Sequence, residues 1–104
     1  MEVFQAVAQG LTKAFPEGND PFQIITRLAE ECGELAKEVN HWENTGIKRQ
    51  KYGEPSKASL AKEVKNVITC ALQIAAYYGA ESELEQTVVS SYRDLKAKGF
   101  IDQD

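Results

Sequence analysis

The sequence predicts an all-α protein, a bundle of four to five helices, on three observations. Apolar residues recur at helical spacing in four separate stretches. No stretch shows the strict apolar–polar alternation of a half-buried strand. Glycine- and proline-containing breaks fall between the periodic stretches, where connections belong. At 104 residues, near the commonest domain size, the chain is expected to form one domain over residues 1–104.

Val3, Phe4, Val7, Ala8, Leu11, Ala14 and Phe15 give a short amphipathic first helix. Pro16-Glu17-Gly18-Asn19-Asp20-Pro21 ends it, with turn residues in succession. Asp20, Pro21 and Gln23 occupy the N-cap, N1 and N3 positions of a capping box, so a second helix starts there and runs to Trp42 or Asn44. Residues 43–57 read as a loop bounded by Gly46 and Pro55. It carries Lys48, Arg49, Lys51 and Lys57, four of the 12 basic residues, close to His41, Trp42 and Tyr52. A loop of that length is more often functional than inert, although a solvated connector reads the same way. The next helix begins at Ser56 or Ser59 and reaches Tyr78, with Gly79 as its left-handed stop. Ser82-Glu83-Leu84-Glu85 reads as a second capping box, opening a last helix that ends at Gly99.

Composition narrows the function classes. Twelve basic against 16 acidic residues give a net charge of −4, which argues against a binder of nucleic-acid polymers. No apolar run approaches the length of a membrane span. Met1-Glu2-Val3-Phe4 has neither a cationic start nor an apolar segment after it, so no signal peptide is expected. Cys32 and Cys70, both in apolar helical settings, read as buried free thiols in a reducing compartment. A soluble cytoplasmic protein is expected.

The chemistry concentrates in the second helix, in Arg27-Leu28-Ala29-Glu30-Glu31-Cys32-Gly33-Glu34-Leu35-Ala36-Lys37-Glu38-Val39. Leu28, Cys32, Leu35 and Val39 form one stripe, while Glu31, Glu34 and Glu38 form a second beside it. Like charges at these spacings repel unless something lies between them. Taken alone, the row also fits a solvated acidic face. A match at an offset of 32 residues adds to it, because Leu60, Glu63, Val64, Asn66 and Val67 repeat the pattern of Leu28, Glu31, Cys32, Glu34 and Leu35. If the two helices pack antiparallel, Glu31, Glu34, Glu63 and Asn66 direct three carboxylates and an amide oxygen at one place. Such hard oxygen donors suit Mg²⁺, with Mn²⁺ as a substitute, and helical bundles build metal sites from facing carboxylates in this way.

Glu30-Glu31-x-x-Glu34 followed by Glu63-x-x-Asn66, with "LAEECGELAKEV", a basic loop and "ALQIAAYYG", resembles the MazG-like all-α nucleoside triphosphate pyrophosphatases over most of the chain. The resemblance implies Mg²⁺-dependent cleavage of a nucleotide between its α and β phosphates, giving a monophosphate and pyrophosphate. It also implies a homodimer or a dimer of dimers. One departure is that the family's second element usually ends in Asp, where this chain has Asn66. An amide oxygen brings no charge, so weaker metal binding is expected, and Lys62 and Lys65 dilute the element further. The last helix also lacks the family's Asn/Lys/Arg cluster.

On this reading Glu31, Glu34, Glu63 and Asn66 are metal ligands. Glu30 and Glu38 are candidate catalytic carboxylates that orient or deprotonate the attacking water, Glu38 being better placed on the acidic stripe. Lys48, Arg49, Lys51, Arg93 and Lys96 are candidates for the phosphate tail, and Trp42, with Tyr52, for stacking on a base. Alternative readings remain: Trp42 as core or interface, and Lys96 and Lys98 as charges favourable at a helix C-terminus. His41 has no assigned chemistry. Tyr77, Tyr78, Trp42 and Ile74 exceed what a monomer can cover, so at least a dimer is expected. Alternative functions are a phosphoribosyl-ATP pyrophosphatase-like enzyme and a catalytically weakened helical binding or assembly protein.

Overall fold

A computed structural model describes the backbone of residues 2–43 and 47–102, with side chains for 2–43 and 50–102. Five helices follow in order: α1 (Glu2–Ala14), α2 (Pro21–Glu43), α3 (Ile47–Tyr52), α4 (Lys57–Tyr77) and α5 (Glu81–Ala97). Among the described residues there is no strand, so the chain is all-α.

Local chemistry sets most of the boundaries. The Gln23 amide donates to Asp20 Oδ1 at 3.0 Å, the expected N-cap bond of α2. The Ser59 amide donates to Ser56 Oγ at 3.2 Å and starts α4. At the far end of α4, Ala80 N–H reaches Ala75 O and Gly79 N–H reaches Ala76 O, with Gly79 at φ +65°. This Schellman pair satisfies carbonyls that the helix leaves open. Phe100 to Leu95 and Gly99 to Lys96 repeat it after α5. Asn19 closes α1 from outside, donating its side-chain amide to Phe15 O at 2.8 Å.

Two boundaries differ from the sequence expectation. The segment read as a loop contains α3, and α5 starts at Glu81 with Ala80 at its N-cap and no side-chain cap bond. Ser82 therefore lies inside the first turn and does not cap the helix. The Schellman turn at Gly79 and Ala80 delivers the chain in helical register two residues early.

α4 is the central element, with α2 along one side and α1 along another, and α5 meeting it more sparingly. Successive contacts descend α2 as they climb α4, Arg27 meeting Gln73 and Glu31 meeting Asn66. The two long helices are thus antiparallel. Among the described residues the buried apolar side chains are Ala8, Ile24, Cys70 and Leu72, joined by the polar Thr69 and Gln73. No described residue of α5 is buried.

The molecule is a plate of 46 × 44 × 20 Å with a radius of gyration of 17.0 Å. A compact chain of this length has a radius near ~13 Å. Its 7678 Å² of accessible surface exceeds by about 1,800 Å² the ~5,800 Å² of a folded monomer of this mass. Twenty ångströms accommodates two helix diameters, so every helix keeps one face to water.

Candidate functional site

The antiparallel seam between α2 and α4 is lined by polar residues. Glu31 and Glu38 are half-buried, whereas Cys32 and Val39 are exposed. The stripe that α2 turns toward α4 is therefore Ile24, Arg27, Leu28, Glu31, Leu35 and Glu38, rotated from the Leu28–Cys32–Leu35–Val39 row. On α4 the facing positions are Glu63, Asn66, Cys70 and Gln73, at alternating spacings of three and four that keep them on one face. The acidic row lies within the seam and not along its edge. Of the two thiols read as buried, Cys70 is buried and Cys32 is exposed.

Asn66 Nδ2 donates to Glu31 Oε2 at 3.2 Å across this seam. Glu63, one turn before Asn66, is half-buried, and its Oε2 is shielded from water without a hydrogen-bond partner. Burial raises the Glu63 carboxyl above the usual range. Glu31 raises it further by hydrogen bonding and by its charge, Glu34 by charge, and the Asn66 amide partly offsets them. Glu63 thus faces Glu31 across the seam.

Glu34 contributes its charge from an exposed position, where its Oε1 meets Lys37 Nζ at 3.4 Å. Such a solvated pair is worth at most ~1 kcal/mol and breaks easily. Among the described residues no three His, Cys, Asp or Glu side chains gather as a ready metal-binding group. The structure thus brings Glu31, Glu63 and Asn66 together and leaves Glu34 at the rim. Glu38 points to the seam one turn beyond Glu34, and Glu30 is exposed.

The basic candidates are dispersed. Lys48 and Arg49 have side chains outside the described residues. Lys51 is exposed, its Nζ 5.3 Å from the centre of the Tyr52 ring. Arg93 lines a shallow depression made by α5 alone, with Glu85, Gln86 and Val89. Lys96 lies over the Tyr92 ring on the same helix, 5.6 Å from its centre. Trp42 is half-buried and lines an apolar groove with Phe4, Leu60 and Val64. His41 Nε2 donates to Gly53 O at 2.7 Å, and its ring meets Tyr52 edge-on at 6.4 Å. It ties the end of α3 to α2, a role that no pattern in the sequence assigned.

Arg27 also escaped the sequence reading. Its guanidinium donates to Gly18 O, to Asn19 Oδ1 at 3.3 Å and to Gln73 Oε1 at 3.5 Å. Gln73 in turn donates to Thr12 Oγ1 at 3.1 Å. This network fixes the α1–α2 turn against α4. The signal was present in the spacing, since Arg27 lies one turn before Glu31 and Gln73 two turns after Asn66. Arg27, Glu31, Asn66 and Cys70 form one wall of a cavity of about 230 Å³, with Leu11 and Phe15 opposite. Burial pushes the Cys70 thiol up, against the pull of Arg27, so it stands in the wall as a neutral group.

Among known proteins the chain matches no family model, no curated protein and no solved structure. No helix among the described residues is long and apolar enough to cross a membrane.

Proposed function

We propose that the protein is a Mg²⁺-dependent nucleotide pyrophosphohydrolase that cleaves a nucleoside triphosphate between its α and β phosphates and acts as a homodimer or dimer of dimers. The observation that supports this most is the seam itself. Glu31 and Glu63 face each other from two rigid helices, and one carboxylate oxygen is buried without a partner. A divalent cation fits that need. Mg²⁺ is commonly held by one or two carboxylates together with substrate phosphates, so a full ligand set from the protein is not required.

Glu31 and Glu63 would hold the cation, with Asn66 Oδ1 and Glu34 within the same stretch of the seam. When bound, the cation supplies charge neutralisation for the phosphates and Lewis acidity toward the leaving pyrophosphate. Glu38, half-buried beyond Glu34, is the carboxylate available to take a proton from the attacking water. The adjoining cavity of about 230 Å³ is smaller than the ~300–1,000 Å³ clefts that enclose a whole ligand. It suits part of a nucleotide, with Phe15 as an apolar wall and Arg27 and Asn66 as polar ones. Lys51 and the basic residues of α5 would serve the phosphate tail where a second chain brings them near.

The test is a panel of nucleoside triphosphates, with phosphoribosyl-ATP included, incubated with Mg²⁺ and assayed for pyrophosphate and monophosphate. Stoichiometric release of both is expected. Absence of turnover across the panel, together with no Mg²⁺ binding by calorimetry, would overturn the proposal. One observation favours a second reading, a helical assembly protein without activity. Asn66 already offers Glu31 a hydrogen-bond donor, which partly fills the place of a cation.

A further inference from the structure

We infer that α1 is a hinged lid over the cavity beside the α2–α4 seam, fastened at its C-terminal end and lifting from α4 at the other. The fastening is polar and local. The Asn19 side-chain amide donates to Thr12 O at 3.3 Å and to Phe15 O at 2.8 Å, which ties the last turn of α1 to the turn that follows it. Arg27 of α2 holds that turn through Gly18 O and Asn19 Oδ1. Gly18 bends the chain there at φ +77°, a conformation that suits glycine. The pivot of α1 is therefore set by α2.

Little holds the rest of α1. It packs against α4 and hardly against any other described helix. The cavity of about 230 Å³ lies where α1 and α2 would otherwise meet, with Leu11 and Phe15 on one side and Arg27 and Glu31 on the other. A second cavity, of about 220 Å³, lies along another face of α1 by Gln9 and Lys13, and Asn19 and Gln73 line both. Within α1 only Ala8 is buried. Gln73 of α4 is the catch. Its Nε2 donates to Thr12 Oγ1 at 3.1 Å and to Ala8 O at 3.5 Å, while its Oε1 accepts from Arg27. Lifting α1 breaks the two donor bonds, which water can replace, and leaves the Arg27 bond in place. An element held by one small apolar residue and two neutral bonds opens locally, without the rest of the fold. A ligand in the cavity bridges α1 to α2, so binding draws the lid shut and keeps water from the seam. The lid goes beyond the proposed function, because it covers whatever occupies the cavity; only its response to nucleotide rests on that reading.

The test uses Cys70, buried in the cavity wall, as a built-in reporter of opening. In full-length protein carrying Cys32→Ser the exposed thiol is gone, and Cys70 is labelled with a bulky maleimide. The labelling rate is expected to stay constant as urea rises to well below the unfolding midpoint, because a local opening exposes little surface. Thr12→Val removes the oxygen that Gln73 meets and should speed labelling about tenfold, still without response to low urea. In hydrogen exchange the α1 amides should open as one unit ahead of α2 and α4. With Mg²⁺ and a triphosphate whose α–β bridging oxygen is replaced by NH, α1 exchange should slow about tenfold by mass action on the closed state. Labelling that climbs with urea from the outset overturns the inference, as does a Thr12→Val protein that labels no faster or an α1 that exchanges only with α2 and α4. So does nucleotide that binds by calorimetry without slowing α1 exchange. Nucleotide that does not bind at all counts against the proposed function, while the lid stands on its urea and Thr12→Val results.

Discussion

Asn66 reaches across the α2–α4 seam to Glu31, its amide nitrogen 3.2 Å from the carboxylate, one turn from a Glu63 oxygen that is buried and unpartnered. The amide does for Glu31 what a cation would do for both carboxylates. It lets the seam close without metal, at the cost of one charge in any metal site.

Asn66→Asp removes that donor and places a third carboxylate in the seam. Without divalent cation the variant is expected to melt ~4–8 °C below wild type, as for a loss of about 1 kcal/mol in a domain of this size. Added Mg²⁺ should restore the difference by mass action on the folded state. In the pyrophosphate assay the variant should reach half-maximal activity at lower Mg²⁺. Melting curves with and without Mg²⁺ decide the matter; a variant insensitive to the ion would place position 66 outside any cation site.

Glu63→Gln addresses the raised carboxyl. Below the pH at which an unfolded-chain glutamate titrates, folded and unfolded chains both carry the proton, and the raised value contributes its stabilisation in full. As pH rises through the folded-state value, Glu63 must ionise against burial and Glu31, and that contribution is lost. The neutral glutamine escapes the loss. The variant should therefore melt a few degrees above wild type at pH 7 (~2–5 °C), with the gap closing by pH 4. Its melting temperature should not respond to Mg²⁺, whereas wild type's should. A gap that is constant with pH would show that Glu63 is not the group titrating.

Arg27→Met strands Gln73, which is buried at 7% exposure and receives one of the guanidinium bonds. Leaving a buried amide unsatisfied costs ~1–3 kcal/mol, and the carbonyl of Gly18 loses its donor as well. A stability loss of ~2–3 kcal/mol by urea unfolding is expected. The double variant with Gln73→Met should lose less than the two single losses added together, because the second substitution removes the stranded partner. Strict additivity would show that Arg27 and Gln73 act independently.

What could be read in the sequence follows from how local its causes are. The caps at Asp20 and Ser56 and the stops at Gly79 and Gly99 depend on a few neighbouring residues, and they stand where the residues imply. α3 is six residues long, too short to show a period, and so it passed as loop. That Glu31, Glu63 and Asn66 share the α2–α4 seam was legible, because both helices carry the same polar spacing. The rotation of α2 was not. A stripe more than 100° wide leaves room to turn Cys32 and Val39 outward and Glu31 and Glu38 inward, and only the polar partners on α4 decide it. Arg27 lies one turn before Glu31, but its acceptors sit on two other segments, Gly18 and Asn19 in the α1–α2 turn and Gln73 on α4, and only the packed helices bring those segments to it.

The 20 Å thickness of the plate bears on how the protein behaves when it is scarce. A layer two helices deep has few atoms out of reach of water, and the homodimer proposed above would cover part of its broad faces. With a second copy in that place, folding and association become one equilibrium, and stability depends on the protein's own concentration. Dilution then acts as a denaturant. The melting temperature should climb with the logarithm of concentration from nanomolar upward, and a dose of the protein below its association midpoint should be lost to unfolding and proteolysis rather than persist as idle monomer. Calorimetric scans over a hundredfold range of concentration would show the slope, and a flat line would mean that one chain suffices.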